Sequence, residues 1–363
     1  MKIVVVDFAA EKGGALSILK DFANKAKLYK NIDWYFILSD KYVEESSNIK
    51  VLIYDKNRLN RLKFDFFSGK NIINKMNPDL VINFQNTYIY GLNTSQIIYL
   101  HQSIPFQNNV KFSFLDKKQI KFAIIQYILG FIIKLGLPKA NLIIVQSNWM
   151  KEAVLKDKKI KNNNIVIVPP NLNKEFIESL PNPEIDFTNF FYPTSDLIYK
   201  KNDFLINTFK KFNNIMHNSN TKYKLSLTMD NKLSETDNSI KFLGHIPRRE
   251  VLRRMSSSVL VFPSNIETFG MPLMEAKVIG GVIFAASTEF SHEILDDYEN
   301  AYFFEMNNEE QLIKLLVKSV KNQIHYNTIK KNFENDDSWA YFIDTIIKNK
   351  SLLEKKEINN GKK

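Results

Sequence analysis

The sequence predicts an α/β protein built from two doubly wound parallel-sheet domains that face each other across a cleft. Strand-like apolar runs alternate with helical patterns in both halves of the chain, which is the order that βαβ units produce. With 363 residues, the chain is long enough to fill two cores. Near its middle, Pro169-Pro170 and Leu180–Pro183 break the alternation, because proline interrupts regular structure. These breaks predict a linker between the two domains.

The predicted domain boundaries follow from these breaks. The first domain is expected over residues 1–168, the linker over 169–185 and the second domain over 186–335. The predicted strands of the first domain are Lys2–Phe8, Trp34–Leu38, Val51–Tyr54, Leu80–Phe84, Ile97–His101, Leu142–Gln146 and Ile165–Val168. Those of the second domain are Phe190–Tyr192, Lys224–Leu227, Ile240–Phe242, Val259–Phe262 and Val282–Ala285.

The end of the chain is predicted to contain one more helix, over residues 336–350. Its best-defined part is Trp339–Lys348, and no strand follows it. We therefore expect this helix to pack back on the first domain. Residues 351–363 form a charged tail.

Basic residues are concentrated in the first half of the chain. The formal net charge is +11, and residues 51–150 hold 12 Lys and Arg against 4 Asp and Glu. This excess favours an acidic ligand or surface facing that part of the protein. Anionic lipid and a diphosphate-linked substrate both fit, whereas the sequence has no nucleic-acid-binding motif, so no nucleic-acid partner is expected. The chain has no cysteine, which excludes disulfides, thiolate metal sites and a cysteine nucleophile.

Two basic segments rich in apolar residues predict contact with an anionic membrane. One is Lys56–Phe67; in the other, Lys117–Lys121 precedes the apolar run Phe122–Ile133. The alternatives are a solvated helix with its phenylalanines in the core, and a buried domain helix. No run reaches the roughly 18 apolar residues of a membrane-spanning helix, and the N-terminal MKIVVVDFAAEKGG predicts a strand rather than a signal peptide. We expect a cytoplasmic protein that can reach the inner face of the cell membrane.

The most informative segment is VLVFPSNIETFGMPLMEAKVIGG, residues 259–281. An apolar strand leads into a loop with Glu267, and Pro272 opens a helix that contains Glu275. The free N–H groups of that helix's first turn favour an anion, and Gly270 lets a ligand approach the backbone. Ionised carboxylates only accept hydrogen bonds, which suits the hydroxyl pairs of a sugar or ribose. The alternative is that Glu267 caps the loop and Glu275 is solvated.

This segment resembles the E-x7-E signature of the retaining GT-B glycosyltransferases of family GT4, which are related to sucrose synthase and the bacterial mannosyltransferases. The likeness extends to Phe242–Ile246 with Glu250–Leu252, to Val145–Met150 and to Val168–Asn171. It implies a GT-B fold of two Rossmann-like domains. It also implies transfer of a sugar, with retained configuration, from a nucleotide-diphosphate sugar to a polysaccharide or lipid-linked glycan precursor, as in bacterial O-antigen and capsule assembly.

The resemblance implies roles for the residues of this segment. Glu267 would contact hydroxyls of the donor sugar, and Glu275 would contact the ribose of the nucleotide. The sugar or the diphosphate would be held by three backbone N–H groups, those of Phe269, Gly270 and Met271.

The resemblance also implies a cation for the diphosphate in the segment after Phe191-Tyr192-Pro193. Lys200 aligns best with the family lysine, and Lys201 is the fallback. Many family members have an arginine beside this lysine, but residues 194–199 contain none. How the second charge of the diphosphate is neutralised stays open.

Two features of the first domain complete the predicted site. Gly13-Gly14 lies between the first strand and the first helix, and resembles the family's glycine-rich loop at the donor phosphates. A Gly-Gly pair alone is a weak signal, since any tight turn favours glycine. His101 ends an apolar strand, where a lone histidine is more often structural. The resemblance implies that it hydrogen-bonds a hydroxyl of the donor sugar.

The sequence predicts a reaction without metal or cofactor. It contains no Asp-x-Asp motif, and its five histidines are scattered. The expected donor is a UDP-sugar rather than a GDP-sugar, and the expected acceptor is a glycan or a polyprenyl-diphosphate-linked glycan. The alternatives are a GT-B nucleotide-sugar epimerase, an inverting transferase, and an inactive homologue that binds a nucleotide-sugar or holds an assembly together.

Overall fold

The computed structural model of the protein describes residues 1–8, 10–11, 13–54, 58–172, 174–217, 222–230, 238–329 and 337–348, with residues 58–60 described by their backbone alone. The described residues form two sheets of parallel strands, and each sheet has its own hydrophobic core. The predicted α/β fold with two doubly wound domains is confirmed.

The first sheet has the strand order β3-β2-β1-β4-β5-β6-β7. Its strands are β1 (Lys2–Asp7), β2 (Asp33–Leu38), β3 (Ile49–Ile53), β4 (Leu80–Asn83), β5 (Ser95–Tyr99), β6 (Leu142–Val145) and β7 (Ile165–Ile167). In β1, Ile3 and Val5 belong to one core cluster and Val4 and Val6 to another. Both faces of this strand are therefore buried, which explains its uninterrupted apolar sequence. The order reverses between β1 and β4, and ligands of such sheets bind beyond the carboxyl ends of the strands at this point.

The second sheet has the order β10-β9-β8-β11-β12-β13, with the reversal between β8 and β11. Its strands are β8 (Asp186–Tyr192), β9 (Lys224–Leu227), β10 (Ile240–Phe242), β11 (Ser258–Phe262), β12 (Ile283–Ala286) and β13 (Ala301–Phe304). The sequence predicted five of these strands and missed β13.

The helices lie between the strands and after them. They are α1 (Gly13–Ala26), α2 (Arg58–Lys63), α3 (Gly69–Met76), α4 (Ile120–Ala123), α5 (Gly130–Gly136), α6 (Asn148–Lys156), α7 (Lys174–Ser179), α8 (Asn202–Ile215), α9 (Arg248–Met255), α10 (Met271–Ile279), α11 (Glu289–Leu295), α12 (Glu309–Val320) and α13 (Ser338–Lys348). π-helical turns join α2 to α3 over Phe64–Ser68 and α4 to α5 over Ile124–Leu129. Short 3₁₀ turns cover Leu137–Lys139 and Ile198–Lys200.

Helix α13 packs on the first domain. The Trp339 ring lies 5.0 Å from that of Phe22, 5.4 Å from that of Tyr99 and 6.0 Å from that of Phe84, measured between centroids. The Tyr29 hydroxyl, three residues after α1, also donates a hydrogen bond to Asp344 (2.9 Å). The chain thus leaves the second domain and returns to the first. The predicted tail, residues 351–363, lies outside the described residues.

The helical run Ile120–Lys139 corrects one sequence prediction. It has 20 residues and a mean hydropathy of 1.8, and 33% of its most apolar stretch is buried. By length and composition alone it is long enough and apolar enough to cross a membrane, whereas no such segment was predicted. The sequence prediction ended the apolar run at Ile133 because Lys134 follows. The helix continues past this lysine, whose ammonium pairs with Asp157 at 2.8 Å.

Candidate active site

Glu267 is held in the loop after β11 by two neighbours. The Ser264 hydroxyl donates a hydrogen bond to Glu267 Oε1 (2.8 Å), and Lys200 Nζ lies 2.5 Å from the same oxygen. Lys200 comes from the 3₁₀ turn after β8, and this turn is tied down because the Tyr192 hydroxyl donates to the Lys200 carbonyl (2.9 Å). The two strands at the reversal of the second sheet thus bring a lysine and a glutamate together.

Lys200, rather than Lys201, reaches Glu267. Lys201 adopts a left-handed conformation (φ 59°) and precedes α8, and among the described residues Glu267 pairs with Lys200 and not with Lys201. Burial lowers the pKa of Lys201. Of the two candidate lysines, Lys200 is therefore the one beside the predicted sugar-binding carboxylate.

The N-cap of α10, Gly270, lies three residues after Glu267. Gly270 has φ 92°, a conformation that side chains other than glycine rarely adopt, and Met271 begins the helix. Within the part of the chain that the structure describes, the N–H groups of Phe269, Gly270 and Met271 find no acceptor. Together with the helix dipole, they form a site suited to an anion.

Glu275 is buried inside α10, with 1% of its surface exposed. Its carboxylate pairs with the Arg248 guanidinium of α9, while its second oxygen, Oε2, has no partner among the described residues. Burial raises the pKa of Glu275 to about 7, and Arg248 opposes this shift. The interpretation of Glu275 as a solvated helix residue is wrong. A half-satisfied buried carboxylate is suited to binding a hydroxyl donor.

Arg248 is a residue that the sequence prediction missed. It is the first residue of α9, after Pro247, and about half of its side chain is exposed. A visible signal was the pair Arg248-Arg249, which lies between two segments already recognised as similar to the family. This arginine supplies a second cation on the same edge of the second sheet.

His101 lies two residues beyond the end of β5, in a loop held by Asn86. The His101 backbone N–H donates to Asn86 Oδ1 (2.6 Å), and the His101 Nε2 atom lies 3.3 Å from Asn86 Nδ2. Its other ring nitrogen, Nδ1, is buried and has no partner among the described residues. Burial, and secondarily the Arg61 guanidinium, lower the pKa of His101 to about 4. The imidazole is therefore neutral at pH 7.

Arg61 belongs to the support of this loop rather than to a membrane surface. Its guanidinium donates to the Gln85 carbonyl, beside Asn86, and it interacts electrostatically with Asp65. Burial raises the pKa of Asp65 to about 6, opposed by Arg61 and by the Thr87 hydroxyl, which donates to Asp65 at 2.6 Å. The predicted membrane role of the Lys56–Phe67 segment is thus wrong for Arg61, because its side chain turns toward the ends of the strands. Lys56 lies outside the described residues.

Gly13-Gly14 begins α1 at the carboxyl end of β1. Gly13 has φ 67°, and a Cβ atom on either glycine would have no neighbour within 4 Å. Glycine is therefore required at position 13 by the backbone conformation, whereas packing does not require it at either position. The open space above the loop leaves room for a ligand at the reversal of the first sheet.

Contacts between the domains bring the two edges together. Ile104, three residues after His101, shares an apolar cluster with Ile266 and with Tyr199. Ile266 directly precedes Glu267 in the chain, and Tyr199 directly precedes Lys200. On the other side of the cleft, the Ser147 hydroxyl and the Trp149 indole N–H both donate to the Thr268 carbonyl, at 2.7 and 3.0 Å. Glu267 and Lys200 touch each other directly, whereas His101 and Gly13-Gly14 belong to the opposite sheet and contact neither among the described residues.

The described residues contain no group of three His, Cys, Asp or Glu side chains placed to hold a metal ion. Positive charge at the site comes instead from Lys200, Arg248 and the N-terminus of α10.

Residues 216–336 match the family model of Glycosyl transferases group 1. This region is similar to a group 1 glycosyltransferase domain. It contains Glu267, Gly270, Glu275 and Arg248, whereas Lys200 and His101 lie outside it. No curated protein matches the chain significantly.

Solved structures similar to the chain share the GT-B fold over nearly its whole length. WaaG, a glycosyltransferase involved in lipopolysaccharide biosynthesis, has 13% identity and a TM-score of 0.66 over 97% of this chain and 96% of that one. Sucrose-phosphate synthase from Thermosynechococcus elongatus has 14% identity and a TM-score of 0.65 over 96% and 98%. HepE from Anabaena, in complex with UDP-glucose, has 15% identity and a TM-score of 0.62 over 97% and 98%. These likenesses show the fold, and the matched family model supports a glycosyltransferase.

Proposed function

We propose that the protein is a retaining, metal-independent glycosyltransferase that moves a sugar from a nucleotide-diphosphate sugar to a polysaccharide or lipid-linked glycan precursor. The observation that supports this most strongly is the contact of Lys200 with Glu267, three residues before Gly270, the N-cap of α10. A cation and free N–H groups suit a diphosphate, and the adjacent carboxylate suits the hydroxyls of the attached sugar.

The donor is proposed to lie along the edge of the second sheet. Its ribose hydroxyls donate to Glu275, whose Oε2 atom has no partner in the described part of the chain. Its diphosphate contacts Lys200 and the N–H groups of residues 269–271, and Arg248 contributes the second positive charge that the family arginine supplies elsewhere. A bound donor offers Lys200 a phosphate and Glu267 a hydroxyl, so each member of the pair gains a partner.

The reaction follows from this placement. The acceptor hydroxyl attacks the anomeric carbon on the face from which the diphosphate leaves, which retains the configuration. The bond to the diphosphate breaks as the new glycosidic bond forms, and the departing phosphate oxygen takes the proton of the acceptor. Negative charge grows on the diphosphate during this step, so Lys200 and the dipole of α10 stabilise the transition state more than the ground state.

The first domain is proposed to orient the sugar. A neutral His101 can both donate and accept hydrogen bonds, which suits hydroxyl groups. Gly13-Gly14 leaves space for the donor phosphates next to α1, and closure of the cleft excludes water from the reacting atoms. UDP-sugars are the favoured donors, in line with the UDP-glucose complex of the similar HepE structure. A polyprenyl-diphosphate-linked acceptor would place the reaction in O-antigen or capsule assembly at the inner face of the membrane.

A transfer assay tests the proposal. The protein is incubated with UDP-glucose, UDP-N-acetylglucosamine or GDP-mannose and a lipid-linked or soluble glycan acceptor, with and without EDTA. We expect transfer from one donor, a product with the donor's anomeric configuration by NMR, and an undiminished rate in EDTA. Glu267→Gln should lose the transfer while keeping the fold.

Each alternative gives a different result in this assay. Nucleotide binding without turnover would identify an inactive homologue, and release of an epimerised sugar without acceptor would identify an epimerase. An inverted product would exclude the retaining mechanism. Activity abolished by EDTA and restored by manganese would contradict metal independence.

A further inference from the structure

The outer face of the helical run Ile120–Lys139 carries an exposed apolar stripe. Its six members are Ile120, Ile124, Tyr127, Ile128, Phe131 and Leu135, and each is 37–54% exposed. They recur every three to four residues, with Tyr127 and Ile128 adjacent, which places them on one side of the helix. At the start of the stripe, Leu115 is 96% exposed, and the Phe114 ring lies 5.7 Å from that of Tyr127.

The inner face of the same helix is fixed to the first domain. Ala123 and Ile133 are fully buried, and a Cβ atom on Gly130 would lie 2.8 Å from Pro105. This close packing holds the helix on the protein surface. It is incompatible with insertion of the whole helix across a bilayer while the domain stays folded, but it leaves the stripe free.

Lysines surround the stripe. Lys111, Lys117, Lys118 and Lys121 are exposed near its N-terminal end, and none of them has an ion-pair partner among the described residues. On its flank, Lys159 Nζ lies 5.7 Å from the centre of the Phe131 ring. An apolar strip with a lysine border matches an anionic bilayer, which takes apolar side chains below its charged head groups.

We propose that this stripe, with its lysine border, docks the protein on an anionic lipid bilayer. The stripe embeds in the head-group region and the lysines contact the lipid phosphates. The Lys56–Phe67 segment is not the main contact, because Arg61 is turned into the domain, although Phe66 and Phe67 expose their rings.

Docking through this face would set the position of the active site. Phe122, on the inner face, packs edge-to-face on Tyr199 (5.6 Å), and Phe122 and Ala123 share a cluster with Ile266. These contacts place residues adjacent to Lys200 and Glu267 about one helix diameter, roughly 10 Å, from the bilayer surface. An acceptor held in the membrane by its lipid could then reach the cleft. This last step rests on the proposed transferase function; the docking itself does not.

Sedimentation with vesicles of phosphatidylcholine, with and without phosphatidylglycerol, tests the proposal. We expect binding only to the anionic vesicles, weakening as salt screens the charges. The double variant Ile128→Ser with Phe131→Ser should lose at least tenfold in vesicle affinity. The triple variant Lys117→Gln, Lys118→Gln and Lys121→Gln should lose roughly a hundredfold, at about fivefold for each lysine near the surface.

Matched controls use the second domain. Ile215→Ser changes an exposed isoleucine there, and Lys314→Gln with Lys318→Gln and Lys321→Gln changes three exposed lysines. Both control variants should bind vesicles as the unaltered protein does. Equal binding of the stripe variant and the unaltered protein, or equal binding to neutral and anionic vesicles, would overturn the proposal. The proposal would also be overturned if the unaltered protein bound no vesicles and instead formed a dimer that the stripe variant converted to a monomer.

Transfer to a soluble glycan acceptor separates this proposal from the proposed function. The stripe variant should keep that activity and lose only transfer to a lipid-linked acceptor in vesicles. Vesicle binding by a protein that transfers to no acceptor would leave the docking intact and contradict the transferase function.

Discussion

The two edges of the cleft present different chemistry. On the second domain, carboxylates are paired with cations, Glu267 with Lys200 and Glu275 with Arg248. On the first domain, His101 is neutral, and the nearest arginine, Arg61, donates to a backbone carbonyl behind it. The cations of the second domain suit the diphosphate, and the neutral His101 suits the hydroxyls of the sugar. Glu267 and His101 are proposed to meet the sugar from opposite edges, so the two edges together would orient the nucleotide-sugar.

The two pairs on the charged edge also differ from each other. Both members of the Lys200–Glu267 pair keep some exposure, at 14% and 16% of their side chains. Glu275 is almost fully buried while Arg248 is about half exposed. A bound donor can therefore replace the contact between Lys200 and Glu267 directly. In the second pair, Arg248 holds the Glu275 carboxylate in place for the donor. We expect the first pair to govern turnover and the second to govern affinity.

The largest effect is expected from Lys200. Lys200→Ala should lower kcat by about 10²–10³, the scale for losing one preorganised electrostatic contact to a developing charge. It should also weaken binding of the free nucleoside diphosphate, because that ligand carries the same phosphates. Steady-state kinetics and calorimetry measure the two effects.

Lys201→Ala is the matched control for this prediction. Its side chain does not reach Glu267 in the structure, so kcat should stay within a few-fold of the unaltered value. If Lys200→Ala left kcat unchanged while Lys201→Ala abolished activity, the diphosphate would contact Lys201 instead.

A smaller effect is expected from Glu275, and it depends on pH. The pKa of Glu275 is about 7 in the folded protein, against an ordinary value of 4.5. Between pH 4.5 and about 7, the folded state therefore keeps a proton on Glu275 that the unfolded state has lost. The resulting stability is fully present below pH 4.5 and is lost as pH rises through about 7, amounting to about 3 kcal/mol.

Glu275→Gln should remove this part of the pH dependence, because glutamine does not titrate. Urea unfolding at a series of pH values between 4.5 and 8 measures it, with Glu310→Gln, an exposed carboxylate of α12, as the control. The same variant should weaken nucleotide binding by about 1–3 kcal/mol through loss of a charge-assisted hydrogen bond. Identical pH profiles for Glu275→Gln and the unaltered protein would contradict the assignment of this titration.

The sequence predicted the architecture well because the buried strands are uninterrupted apolar runs separated by turns. It also predicted that Glu267 and Lys200 serve one site, but only through the family resemblance, since 67 residues separate them. Arg248 and Arg61 were not assigned correctly because nothing local distinguishes an arginine that turns inward from one that stays solvated. The direction of each side chain depends on a partner brought close by the fold, the Glu275 carboxylate and the Gln85 carbonyl.

The same reason explains the partial outcome for the basic, apolar segments. Composition marked Lys56–Phe67 and Lys117–Ile133 equally, and both contain a π-helical turn in the structure. In the second segment the apolar residues divide into a buried face and an exposed face, a division that a nearly continuous apolar run hides. Gly130 and Gly136 lie on the packed face of the helix, but the sequence does not show that Pro105 and Tyr88 pack against them.

The smallest effect on nucleotide binding is expected from His101, on the first domain. A free nucleoside diphosphate has no sugar for this residue to meet, so His101→Ala should leave its affinity unchanged while lowering kcat about tenfold, the scale of one lost hydrogen bond. His101→Gln, which can still hydrogen-bond, should restore part of the rate, and His217→Ala, at an exposed position, should change nothing.

The pH dependence of His101 provides a separate check. Because its pKa is about 4, the histidine stays neutral from pH 8 down to pH 5, and its protonation should not reduce kcat in that range. A fall in kcat with a midpoint near 6.5, the ordinary value for histidine, that disappears in His101→Gln would mean that the residue is solvated and protonates normally. If His101→Ala instead weakens binding of the free nucleotide as much as Lys200→Ala does, the histidine contacts the phosphates rather than the sugar.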